Sequence, residues 1–185
     1  NGIFALPGNT EVICNFYGTC TMNLLNGTSF KRIRKETWDS VAKKVAAGES
    51  DLWMKSQVGD RLVFYMTLAH YFGVESVINV VNDKSDKYPA NATGDRMCCA
   101  WSKAVQRDLT PYFEIWGLPL SKAAYTYTQD WAPWPSNDEK AALFAQPTEY
   151  RGEVIEMELD TRNPEDIPTR RQLRAREHFK KTVKE

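Results

Sequence analysis

Two histidines, four cysteines and a scatter of carboxylates are the side chains from which this 185-residue chain could assemble a reactive site. His70 and His178 are far apart in sequence, in different expected helices, and neither belongs to a motif. His70, about one turn from Tyr65 and Phe72, reads as a packed or capping side chain, and His178, in a basic stretch, as a solvated one. There is no G-x-S-x-G, no glycine-rich phosphate loop, no C-x-x-C and no H-E-x-x-H. No nucleophile–base pair, nucleotide cradle or two-histidine metal helix is therefore complete in the sequence. Glu11 with Asn15 one turn later puts a carboxylate and an amide on one helix face, a geometry suited to a metal ligand and a supporting neighbour. The residues alone favour a plainer role, with Glu11 complementing the dipole of a helix capped by Asn9 or Thr10. Asp108 and Glu114, around Pro111, read as ordinary polar positions, and Trp101, Tyr112, Phe113 and Trp116 as core rather than a sugar-stacking platform.

The cysteines, Cys14, Cys20, Cys98 and Cys99, allow three full pairings. A ring closed by the vicinal pair is strained, so a bridge from Cys98 or Cys99 back to Cys14 or Cys20 is the expected arrangement. Zinc binding by these thiols is the weaker alternative, because neither the spacing of Cys14 and Cys20 nor an adjacent pair matches a zinc knuckle. Two sequons make Asn26 and Asn91 candidate glycan acceptors. Cysteines and sequons together favour a secreted or extracellular chain.

Twenty-four basic and 24 acidic side chains leave a formal charge of zero, with 42% hydrophobic and 12% aromatic residues. That composition predicts a folded domain and provides no overall field for gathering nucleic acid or anionic lipid. The longest apolar run, near Leu62 to Phe72, is broken by Thr67 and His70 and falls well short of the roughly 20 residues a membrane span needs. The sequence opens on Asn1 with no leader-like segment, as expected of a processed chain or a fragment.

The elements that must position these residues read as helices. Helical spacing and cap signals predict helices over 10–25, 35–47, 52–71, 75–82, 95–105 and 110–116, with the bulkiest stripe in the third. An exposed loop is expected over 82–94. Beyond Pro119 the prolines and glycines predict an irregular wrap to about 168, holding a short helix at 138–144 and a lone strand at 151–159. A basic helix closes the chain over 170–185. The expected fold is mainly α, with residues 1–121 as one helical part and 122–185 as the wrap and basic helix.

Three blocks carry a resemblance. Gly59-Asp60-Arg61-Leu62-Val63-Phe64-Tyr65 with Leu68-Ala69-His70-Tyr71-Phe72-Gly73 resembles a helix-and-glycine segment of the enhancin-like, mucin-targeting zinc metallopeptidases (peptidase family M sixty). The run from Trp101 and Ser102 through Asp108-Leu109, Tyr112-Phe113 and Trp116-Gly117-Leu118-Pro119-Leu120-Ser121 is similar to that family's closing signature. Asn9-Thr10-Glu11-Val12-Ile13-Cys14-Asn15 is similar to the stretch after its zinc helix, and the three blocks keep the family's order.

The resemblance implies a gluzincin, in which H-E-x-x-H gives two histidine ligands and the general base while a downstream helix gives a glutamate ligand. It makes Glu11 the third zinc ligand, with Asn15 beside it. The base and both histidines have no counterpart here, so zinc is implied only if an upstream segment or a partner chain completes the site. Two readings follow: the C-terminal part of a secreted peptidase cleaving glycoprotein or mucin-like substrates, or a non-catalytic structural or carbohydrate-contacting module on the same scaffold. The position of Asn1, ten residues before Glu11, favours the first. That reading expects the apolar stripe of 52–72 and the aromatic cluster to await a partner surface. The implied partners are the rest of the peptidase domain or another chain, with a glycoprotein substrate, no nucleic acid and no membrane span.

Overall fold

The computed structural model describes residues 4–26, 33–83, 87–140 and 142–147, all of them within the unit spanning 1–155. Among these residues the helices are α1 (Thr10–Asn26), α2 (Lys35–Ala46), α3 (Leu52–Lys55), α4 (Val58–Phe72), α5 (Val74–Asn82), α6 (Asp95–Val105), α7 (Thr110–Ile115), α8 (Lys122–Thr128) and α9 (Asn137–Lys140). The only β-type pairing described is an isolated bridge between Asp108 and Pro133. The fold is mainly α, as the helical spacing predicts. The expected strand at 151–159 and basic helix at 170–185 lie outside the described residues. No described helix is long and apolar enough to cross a membrane.

Helix α4 is the centre of this unit. Val63 through Ala69 are buried without interruption, so the helix is enclosed on all sides, and α1, α2 and α5 pack directly against it. The single helix expected over 52–71 is in fact two, because Ser56 and Gln57 are extended between α3 and α4. Arg61 explains the break. Its Nε donates to the Trp53 carbonyl at 2.9 Å and its Nη2 to the Met54 carbonyl at 3.4 Å, satisfying the acceptors that a continuous helix would offer to its own next turn.

The core is aromatic. Phe64 has the rings of Tyr65 and Tyr112 with centroids at 5.0 Å, Phe113 at 5.2 Å, and Trp53 and Trp116 at 5.5 Å. Most of these contacts are edge-to-face, the arrangement favoured by the ring quadrupoles. Trp101, Tyr112, Phe113 and Trp116 are wholly buried, as expected of core residues. The same burial corrects the expectation of an unmet partner surface. The α4 stripe and the aromatic cluster close on each other within this chain, and the exposed large apolar side chains described are Met54, Ile78, Val81, Tyr125 and Tyr127.

The core also runs past residue 121. The stretch expected to be an irregular wrap opens with α8, and Ala124, Trp134, Leu143 and Phe144 join the same buried cluster. Trp134 packs against Phe72 at 4.8 Å, Tyr112 at 5.1 Å and Tyr71 at 5.3 Å. The helix expected over 138–144 is shorter: it ends as α9 at Lys140, with turns over 142–144.

Candidate functional site

Glu11 lies in the first turn of α1, where unpaired amides and the helix dipole favour a carboxylate. With Cys14, Asn15 and Gly18 it forms one exposed face at three- and four-residue steps. Glu11 makes no hydrogen bond or ion pair with another described residue, so both carboxylate oxygens are available.

The residues just before Glu11 are held one by one. The Pro7 carbonyl accepts from Trp53 Nε1 at 3.0 Å, and the Gly8 carbonyl accepts from Arg61 Nη1 at 3.2 Å. Arg61 also lies over the Trp53 ring at 5.4 Å, which ties the two anchors together. Gly8 has φ +67°, so the turn favours a glycine, and a Cβ there would fall 2.2 Å from Arg61 Nη1 and push the guanidinium off its bond to the Gly8 carbonyl. Asn9, only 3% exposed, donates from Nδ2 to the Phe4 carbonyl at 2.7 Å and accepts the Tyr65 hydroxyl on Oδ1 at 2.9 Å. Burial pushes the Tyr65 pKa up, more than the Asn9 bond lowers it, so the phenol stays protonated and donates. The Asn9 carbonyl in turn accepts Ile13 N–H at 2.9 Å, the first bond of α1.

The closing signature, from Trp101 to Ser121, has a different character. Ser102 Oγ accepts Leu109 N–H at 3.1 Å, and Asp108 Oδ1 accepts both the backbone N–H and the hydroxyl of Thr110, at 2.9 and 2.8 Å. Tyr112 donates to the Phe64 carbonyl at 2.9 Å. Gly117 has φ +65°, and a Cβ would meet the Asp51 backbone at 2.7 Å where Trp53 N–H bonds the Trp116 carbonyl. Ser121 gives its N–H to Asp95 Oδ1 at 2.8 Å and its hydroxyl to Asp95 Oδ2 at 2.7 Å. Asp95, fully buried, also accepts the N–H groups of Asn91 and Ala92, each at 2.9 Å. These residues bracket the fold, and Glu114, exposed, accepts the Tyr125 hydroxyl at 2.6 Å.

The other expected site residues are dispersed. Asn15 is exposed one turn after Glu11, Asn91 is exposed in the turn before α6, and Asn26 is the last residue of α1. His70 is half-buried with its ring edge on Tyr71 at 5.2 Å, and His178 lies outside the described residues. The expected disulfide is not formed: all four thiols are free, with Cys14 exposed and Cys20, Cys98 and Cys99 buried. Cys14 and Cys20 are six residues apart on α1, about 9 Å along its axis, too far to bridge. Helix α1 packs on α4 and α5, whereas α6, carrying Cys98 and Cys99, packs on α5 and α8. Burial pushes the Cys20 and Cys99 thiols up to about 12 and Cys98 well above its ordinary value, which leaves them protonated and inert.

Among the described residues no three His, Cys, Asp or Glu side chains form a group able to hold a metal. Among the described residues around the start of α1, the Glu11 carboxylate is a hard oxygen donor of the kind zinc accepts, and by itself it is one arm of a site. The anchors Arg61, Trp53, Tyr65 and Asn9, and the staple at Asp95, were not expected from the sequence. Their sequence signals are that Arg61 and Tyr65 fall inside the first quoted block and that Asn9, expected there only as a helix cap, opens the third.

Residues 2–117 match the model of the family described as Peptidase M60, enhancin and enhancin-like. Comparison with curated proteins and with solved structures gives no match in either set.

Proposed function

Since the chain belongs to the enhancin and enhancin-like peptidase family, we propose that it is the C-terminal helical part of the catalytic domain of a secreted zinc metallopeptidase acting on glycoprotein or mucin-like substrates. Glu11 is its zinc ligand. The observation that carries this reading is a free, exposed carboxylate inside the matched segment, at the head of a helix whose preceding residues are individually anchored.

The 185 residues hold no H-E-x-x-H, so in this reading the two histidines and the general base come from a segment outside this sequence or from another chain. Zinc, when bound, polarises the scissile carbonyl and lowers the pKa of a water. The contribution of this chain is to hold the Glu11 oxygens in one direction, with Asn15 on the same face, and to back that helix with a dry aromatic core. The chain alone is then inactive, since one carboxylate cannot retain the metal.

The test uses the natural protein complete with its H-E-x-x-H segment, assayed for zinc content and for cleavage of a heavily glycosylated protein. About one zinc per chain is expected, with both zinc and cleavage lost in Glu11→Gln. Zinc-free native protein, or a Glu11→Gln variant that keeps metal and activity, would overturn the proposal and leave the non-catalytic scaffold standing.

A further inference from the structure

We infer that Tyr65 and Asn9 are positioning residues for the Glu11 carboxylate, an inference that rests on the zinc-ligand reading of Glu11. Asparagine just before a helix ordinarily turns its side-chain oxygen back to cap an amide of the first turn. Asn9 occupies that place, since its carbonyl takes the first helical bond from Ile13, yet its side chain caps nothing in α1. Its Nδ2 reaches back to the Phe4 carbonyl and its Oδ1 takes the Tyr65 hydroxyl, so the cap has been exchanged for a fixed bond to the central helix.

Tyr65 suits this role by its surroundings as well as its hydroxyl. Its ring stacks on Phe16 of α1 at 5.0 Å and lies 6.3 Å from Phe4, so one residue of α4 grips the chain on both sides of Glu11. Met97 Sδ stands 3.3 Å from the same hydroxyl, and Tyr65 is wholly buried. Rotation about Asn9 would swing the first turn of α1 and with it Glu11, and the hydroxyl bond opposes that rotation. Partners that orient a metal ligand typically alter metal affinity by about 10–100-fold when removed.

The experiment compares three variants in the complete, H-E-x-x-H-bearing protein, reading the zinc dissociation constant by chelator competition and amide exchange over residues 10–13. Tyr65→Phe keeps the ring contacts and deletes the hydroxyl's bond to Asn9 together with its weaker contact to Met97 Sδ. Tyr112→Phe deletes an equally buried hydroxyl bond, to the Phe64 carbonyl at 2.9 Å, away from α1. Asn9→Ser restores a capping side chain while giving up the reach to Tyr65, and stands in for Tyr65→Phe should that variant not fold. Tyr65→Phe and Asn9→Ser are expected to weaken zinc binding on the order of 10-fold, whereas Tyr112→Phe leaves it unchanged, and exchange over 10–13 should rise in Tyr65→Phe only. Equal loss in Tyr65→Phe and Tyr112→Phe would show a general stability effect and overturn the inference. Unchanged zinc affinity in both α1-directed variants, with zinc lost in Glu11→Gln, overturns the positioning role and leaves the ligand reading intact. Zinc retained in Glu11→Gln removes that reading itself.

Discussion

The start of α1 and the signature as far as Gly117 lie in one family match, yet the two regions use their polar groups in opposite ways. From Asp95 to Ser121 the carboxylates and hydroxyls named above are turned inward or onto neighbours, as Asp95 shows by accepting four hydrogen bonds while fully buried. At α1 the inward side-chain bonds stop at Asn9, and Glu11 two residues later is exposed and has no partner among the described residues. The motif most specific as a string is therefore the architectural one. The carboxylate proposed as a ligand stands alone among the described residues, and its surroundings show up as geometry rather than as a sequence pattern.

The sharpest way to break this contrast is Asp95→Ala. It strands two loop amides, the Ser121 amide and the Ser121 hydroxyl at the junction of α6 and α8. Buried groups left unpaired cost about 1–3 kcal/mol each, and several here are only part-buried, so a loss of about 3–5 kcal/mol is expected. The midpoint of urea unfolding measures it. A loss below about 1 kcal/mol would mean that Asp95 is held for some purpose other than architecture.

Gly117→Ala ranks next. The substitution meets a positive φ and a Cβ position 2.7 Å from the backbone of Asp51, where no flexible side chain can yield. A destabilisation of about 2–4 kcal/mol follows, again with no role for metal. Thermal unfolding of the variant with and without added zinc should show the same deficit in both conditions. A deficit that zinc repairs would join the two regions that the structure separates.

The sequence made the helical class and most element positions legible, because three- and four-residue spacing and Gly or Pro punctuation are local signals. It could not show the break between α3 and α4, which depends on Arg61 capturing the Trp53 and Met54 carbonyls. The supposed partner-seeking surface vanished for a related reason: Phe64 is closed over by Tyr112, Phe113 and Trp116, about fifty residues away. The disulfide expectation failed because parity of cysteines says nothing about which helices face each other. Glu11 emerged only through the resemblance, and its anchors stayed hidden because Arg61 and Tyr65 bond to Gly8 and Asn9 across 53 and 56 positions.

The smallest expected effect on stability is also the most informative. Glu11→Ala removes an exposed carboxylate without a described partner, so the fold loses only its interaction with the α1 dipole, about 0.3–1 kcal/mol at low salt and less as salt rises. Urea unfolding of the metal-free chain at low and high ionic strength checks this, since a dipole contribution shrinks with screening and a buried network does not. A residue retained for architecture would resemble Asp95, with a large loss insensitive to salt. A near-silent substitution in the metal-free chain, combined with zinc loss in the complete protein, is the behaviour of a ligand whose purpose lies outside the fold that carries it. A loss above about 2 kcal/mol in the metal-free chain would place Glu11 with the bracket residues and erase the contrast between the two ends of the matched segment.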